Sequence, residues 1–330
     1  MPNIARTMFG ADTPSFLLAL ALLGALTLLV GGAKAFTAAA ERVGLALGMS
    51  PFAVGVLIVA VGTSLPELAA GALASAAGET TVVSGNVLGA NTALLLFVLG
   101  VAAACLPRGI HLGERYIGID LNFMVGSSAL LCLALADAHV GRLEGGVLLA
   151  AYAIYVAYQL IDGRTASADS AIAASLPAAQ ERVRPRDLAV LLAAGAAIYV
   201  GANAALDALL VVAARLGISP ATASATILAL GTTLPETVVS IAAARAGRPE
   251  IAVGNILGSC IFNALAVAGV AALIGGVDAP PEIVRLPLPC FLGASLLFYL
   301  LTHDRRVSRW EGLLFVAGYL LLVAELAGLA

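Results

Sequence analysis

The chain has 330 residues, of which 61% are hydrophobic and 11% charged, with a formal net charge of −3. So few polar side chains cannot cover a water-soluble globule, whose apolar share is about 45–50%. The same figures exclude a disordered chain and a nucleic-acid-binding fold with a basic stripe, and they leave a polytopic membrane protein.

A hydrocarbon core of about 30 Å needs about 20 apolar residues per helix. Ten such segments are predicted, near 15–33, 51–77, 81–104, 116–136, 143–161, 188–214, 219–244, 250–274, 283–302 and 311–329. Met1 to Thr13 carries Arg6 but no cleavable signal pattern, so the helix from Pro14 onward is expected to stay. Cys105, Cys132, Cys260 and Cys290 lie in or beside apolar stretches without metal spacing, and read as small buried residues. The longest polar stretch, 162–187, divides the chain into halves of five segments, 1–161 and 188–330, and reads as a linker.

Numbering the loops alternately gives a charge test. One face collects Lys34, Arg42, Arg108, Arg115, Arg164, Arg182, Arg184, Arg186, Arg245, Arg248, Arg305, Arg306 and Arg309. The other holds Arg6, Arg142, Arg215 and Arg285. The positive-inside rule then puts both termini outside and the linker in the cytoplasm.

The two halves match at a constant offset of 169 residues. Leu47-Gly48-Met49-Ser50-Pro51 pairs with Leu216-Gly217-Ile218-Ser219-Pro220, and Gly62-Thr63-Ser64-Leu65-Pro66-Glu67 with Gly231-Thr232-Thr233-Leu234-Pro235-Glu236. Gly85-Asn86 and Gly89 pair with Gly254-Asn255 and Gly258. Five segments per copy is an odd number, so the second copy enters the membrane inverted. The expected fold is all-α, with ten spanning helices in two inverted five-helix repeats. Helices 2, 3, 7 and 8 are expected to be broken, an architecture typical of secondary transporters.

The chemistry sits at the matched motifs. Pro66 and Pro235 each remove a backbone donor within a span, so carbonyls near Ala60 and Ala229 are expected to lack helical partners. Glu67 and Glu236 follow directly, and an ionisable group at membrane depth is a functional-site candidate by default. Thr63 and Thr232 lie four residues earlier on the same helical face, with Ser64 and Thr233 adjoining. Two carboxylates, hydroxyls and carbonyls form an all-oxygen set suited to a hard divalent cation such as calcium, which takes about 6–8 oxygens. Soft ligands for zinc or copper are missing. Asn86 and Asn255 either cap the broken helices or ligate the ion, and Ser259 and Asn263 are spaced to face the site together. A bare pair of close carboxylates is unfavourable, which favours exchange over one-way flow.

The paired GTSLPE (62–67) and GTTLPE (231–236), each followed by a GNxxG segment, resemble the two alpha repeats of the sodium/calcium exchanger branch of the calcium:cation antiporters. The resemblance covers almost the whole chain and is closest to the prokaryotic members, which lack a large calcium-sensing loop. It implies a plasma-membrane (bacterial inner-membrane) antiporter that exports Ca2+ in exchange for Na+ by alternating access, as spans 1 and 6 slide past the rest. It implies Glu67 and Glu236 as central calcium ligands, supported by Thr63 and Thr232. Ser64 and Thr233, with the carbonyls of Ala60 and Ala229, would build flanking sodium sites, and Ser259 an outer one. Asn263 stands where potassium-dependent relatives carry aspartate, so potassium cotransport is not expected.

Ala90 and Leu94 replace a serine and an asparagine usual in the family. The coupling ion therefore stays open between Na+ and H+. A passive cation channel is the more remote alternative. Without a membrane-embedded histidine, a Ser–Lys pair or an Asp pair, enzyme chemistry is not expected. Nor is a cofactor, a nucleic acid or an obligatory protein partner. The expected partners are inorganic cations and the lipid bilayer.

Overall fold

The computed structural model describes residues 9, 13–106, 109–111, 120–171, 183–216, 231, 233–304 and 306–326. Ten helical segments follow in chain order. They are α1 Ser15–Ala46, α2 Pro51–Ala76, α3 Thr80–Ala104, α4 Leu121–Ala134 and α5 Arg142–Ala171. After them come α6 Pro185–Arg215, α7 Leu234–Arg245, α8 Pro249–Gly275, α9 Pro281–Thr302 and α10 Arg309–Leu326. Seven of these, all but α4, α7 and α10, are long and apolar enough to cross a bilayer on their own.

Several ends differ from the hydropathy reading. α1 runs thirteen residues beyond 33, to Ala46. Lys34, Glu41 and Arg42 end the apolar run there, but alanines around them keep the helix going. α5 continues to Ala171 and α6 starts at Pro185, so both ends of the polar stretch 162–187 are helical. The first part of the seventh segment, 219–230, lies outside the described residues. Gly78 and Gly247, repeat equivalents, end α2 and α7 in the left-handed region at φ 81° and 76°, where glycine carries no steric penalty.

The expected breaks in helices 2, 3 and 8 are corrected by the structure. α2 is helical through Pro66 and carries a wide π-turn stretch, Gly55–Val59, instead. Proline is tolerated in a spanning helix where neighbouring protein re-satisfies the freed carbonyl. α3 and α8 hold equivalent π-turn stretches at Ala93–Val98 and Phe262–Val267 and are otherwise continuous. Glycines in α2 and α8 cost about 1 kcal/mol each in helix propensity but allow close packing. A Cβ on Gly55 would stand 2.6 Å from the Ile251 carbonyl oxygen, and one on Gly258 2.8 Å from that of Val56. α7 does begin at its motif, with Thr233 as the flanking residue and Pro235 in the first turn.

α2, α3 and α8 form the centre, and α8 is the most buried helix of the described residues. α1 lies along α6 at the side. Contacts recur in pairs related by the offset. A Cβ on Gly32 would meet the Ala194 carbonyl at 3.2 Å, and one on its equivalent Gly201 the Ala25 carbonyl at 2.9 Å. Gly100 and its equivalent Gly269 each meet a glycine of another helix, Gly312 and Gly145, which are offset by 167. Two short antiparallel ladders tie loops together. β1 Ile110–His111 pairs with β4 Arg306–Val307, and β2 His139–Val140 with β3 Val277–Asp278. Asp120, beside α4, is buried and accepts hydrogen bonds from Tyr155 and Gln159 of α5, a packing role.

Candidate cation site

The motif residues of both halves meet where α2, α7 and α8 cross. Ala60, Thr63, Ser64, Glu67, Thr233, Glu236, Ser259 and Asn263 are all buried, each exposing 5% or less of its surface. Thr232 and Ala229 lie outside the described residues. Ser64 links the halves. Its hydroxyl lies 3.1 Å from Glu236 Oε1 and 3.0 Å from Ser259 Oγ, within hydrogen-bonding reach of both. Thr63 Oγ1 contacts the Ala60 carbonyl and Asn255 Oδ1, each at 3.2 Å. The hydroxyl carries one proton, so it donates to one of these two acceptors at a time.

Asn255 resolves its two readings differently from Asn86. Its amide nitrogen donates to Ser240 Oγ at 2.8 Å and to the Glu236 carbonyl at 3.4 Å. Both ends of its side chain are thus committed to protein groups, and it braces α7 against α8. Asn86, its repeat equivalent, is half-buried and lines a cavity. Ser240 was not visible as a site residue in the repeat, because its equivalent is Gly71. The available signal was helical spacing, since Ser240 lies one turn after Glu236 on the same face.

Four buried side-chain oxygens have no hydrogen-bond donor among the described residues: Glu67 Oε2, Glu236 Oε2, Asn91 Oδ1 and Asn263 Oδ1. All four accept and none donates, and an unsatisfied buried group costs about 1–3 kcal/mol. Oxygens of this kind are what a hard cation takes as ligands. Neither glutamate is paired with a basic side chain among the described residues. Asn91 Nδ2 donates to the Cys260 carbonyl at 3.1 Å, and Cys260 Sγ approaches the Asn91 carbonyl at 3.9 Å. These two residues are themselves separated by 169 positions, so repeat equivalents touch one another.

A cavity of about 540 Å³ reaches this site. Its walls include Glu67, Asn86, Tyr199, Asn203 and Pro235, and it extends toward Ala74 and Val82 beside the α2–α3 loop. A pocket of about 20 Å³ touches Thr63, Pro66 and Pro235, room for one particle the size of a water. Glu236 and Asn255 line neither.

Residues 17–161 and 187–326 match the family described as sodium/calcium exchanger protein. The inner membrane protein YrbG of Escherichia coli strain K12 is 32% identical over 319 residues, covering 94% of this chain and 97% of the relative. The sodium/calcium exchanger MaX1 of Methanosarcina acetivorans is 29% identical, covering 93% and 97%. The fold is also similar to that of the sodium-calcium exchanger NCX_Mj soaked with 10 mM Na+ and 10 mM Sr2+. The TM-score is 0.78 and the identity 27%, over 94% of this chain and 98% of that one.

Proposed function

The chain belongs to the sodium/calcium exchanger family, and we propose that it exports Ca2+, or a similar hard divalent cation, in exchange for Na+ by alternating access. A member of this family is a transporter and not an enzyme. The observation that carries the reading is the orphaned pair Glu67 Oε2 and Glu236 Oε2 within an all-oxygen shell. Two carboxylates neutralise one divalent ion. Bare, they repel in a low dielectric, so the site turns back to the first face with other cations in place of the divalent ion. That makes exchange cheaper than empty return.

In this reading Glu67 and Glu236 hold Ca2+, with Thr63 and Thr232 beside them. Ser64 and Thr233, with the carbonyls of Ala60 and Ala229, serve the flanking sodium sites, and Ser259 and Asn263 complete the set. The chain comprises two inverted five-helix repeats, 1–161 and 188–330, joined by the cytoplasmic linker 162–187. The paired contacts of Gly32 and Gly201, and the meeting of Asn91 with Cys260, support this. Both termini lie outside, in a plasma or bacterial inner membrane. Pairings such as Arg248–Glu41 and β2 with β3 join only loops that alternate numbering assigns to one face, which supports that topology.

The moving part is α1 with α6. Arg42 pairs with Asp187 at 2.7 Å near one end, and Arg215 reaches Ser15 Oγ at 3.1 Å at the other, which favours movement as one body. One observation favours H+ over Na+ as the counter-ion. Ala90 and Leu94 are both buried and bring no oxygen where the family keeps two.

Ca2+ uptake into reconstituted vesicles, driven first by a Na+ gradient and then by a pH gradient, tests the proposal. Flux under the Na+ gradient is expected. Flux under the pH gradient alone selects the H+ reading, and flux without either gradient selects a passive channel.

A further inference from the structure

A second cavity, about 620 Å³, lies between α1 and α7 and contains none of the cation-site residues. Its lining includes Val30 and Lys34 from α1, Val238, Ile241 and Arg245 from α7, and Arg248 just beyond. Lys34 lies nineteen residues into α1, which puts it about 28 Å along the axis from Ser15. That is close to the roughly 30 Å depth of the hydrocarbon core. Val30 lies one turn deeper. The cavity therefore offers an apolar wall at acyl-chain depth and cations at headgroup depth.

The nearby acids neutralise one of these three cations, Arg248, and leave Lys34 and Arg245. Glu41 is held by Arg248 at 2.6 Å, and Asp187 is held by Arg42. Among the described residues Arg245 makes only a 3.6 Å contact, to Cys105 Sγ. Lys34 has no hydrogen-bond or ion-pair partner among the described residues. The repeat also shows that the charge is not a by-product of the duplicated fold. At the equivalent positions of the other half stand Asn203, Ala76 and Glu79, none of them cationic.

We propose that the cleft between α1 and α7 binds an anionic phospholipid, its phosphate against Lys34 and Arg245 and an acyl chain along Val30 and Ile241. The assignment rests on the orientation proposed above, which puts this cleft at the cytoplasmic interface, where basic pockets between spanning helices recognise anionic headgroups. A soluble anion would use the cations but leave the apolar wall bare.

Native mass spectrometry of delipidated protein tests this, with phosphatidylglycerol or phosphatidylcholine of the same chains added. Wild type is expected to retain phosphatidylglycerol preferentially. The Lys34→Gln/Arg245→Gln double variant should retain at least fivefold less. Lys34→Arg/Arg245→Lys should retain as much as wild type, which separates lost charge from a damaged fold. Arg309→Gln, a cation outside the cleft, should change nothing. Glu67→Gln should also bind lipid normally, so a failure of the transport reading stays distinct from a failure of this one. Equal retention of the two lipids overturns the proposal, as does equal retention by wild type and the glutamine double variant. So does displacement of phosphatidylglycerol by inorganic phosphate, which would mark a free-anion pocket.

Discussion

Glu236→Gln is the most informative single change. The amide keeps the size of the side chain and an acceptor for Ser64, whose hydroxyl lies 3.1 Å from Glu236 Oε1. What it removes is one of two buried negative charges. At an effective dielectric of about 20, unit charges about 4 Å apart attract by about 4 kcal/mol, and a divalent ion doubles this to about 8 kcal/mol. Stripping water from the ion and the carboxylate offsets most of that gain. If a quarter survives, about 2 kcal/mol, Ca2+ binds about 30-fold more weakly. The variant also loses the repulsion between Glu67 and Glu236, so its ion-free form should melt at a higher temperature than wild type. Calorimetric titration of Ca2+ and the Ca2+-dependent rise in Tm read the two effects separately. Ca2+ affinity within threefold of wild type in both Glu236→Gln and Glu67→Gln would refute the site.

Three further outcomes follow from individual contacts. Ser64→Ala removes a hydroxyl in contact with both Glu236 and Ser259. A hydrogen bond to a charged group is worth about 1.5–3 kcal/mol, so Ca2+ affinity measured by the same titration should fall at least tenfold. Gly258→Ala forces a methyl to within 2.8 Å of the Val56 carbonyl oxygen. Overpacking of this kind costs about 1–3 kcal/mol, visible as a Tm lowered by several degrees with Ca2+ affinity retained at saturation. Asp278, in the loop between α8 and α9, is held below the usual carboxylate range by the Thr80 hydroxyl, 2.5 Å away, and then by His139. Its contribution is therefore present at neutral pH and lost as the pH falls below about 4. Because the side chain is 46% exposed, the effect stays under about 1 kcal/mol. Asp278→Asn should flatten the acid limb of the Tm–pH profile, and an unchanged limb would remove the assignment.

The long apolar helices were legible because hydropathy registers the bilayer directly, and the meeting of the two motifs because matched glutamates stand 169 residues apart in them. What escaped were features set by neighbours. The alanines that carry α1 to Ala46 matter only as helix formers, and hydropathy ends at Lys34. Pro66 read as a break, yet the helix runs through it, because the irregularity sits about two to three turns earlier, in the π-turn stretch Gly55–Val59 where Gly55 meets α8. That choice depends on a residue 199 positions away, Gly254, which no local window contains. The committed amide of Asn255 likewise depends on Ser240, which the repeat comparison masks because Gly71 stands opposite.

That last difference bears on how one sequence motif comes to sit in two environments. Glu67 and Asn86 line the 540 Å³ cavity, while their equivalents Glu236 and Asn255 do not. A perfect repeat could not favour one half for opening, so the bias lies where the halves differ. Ser240 accepts the Asn255 amide at 2.8 Å and holds α7 on α8. Gly71 has no side chain to do the same for Asn86. Ser240→Gly makes the halves alike at this point and removes one hydrogen bond, worth about 1 kcal/mol. It should shift the balance between the two half-open states about fivefold. Hydrogen–deuterium exchange reads this locally: peptides from 234–245 should exchange faster in the variant, while those from 60–76 keep their rate. Identical exchange in 234–245 would mean that Ser240 does not seal that half.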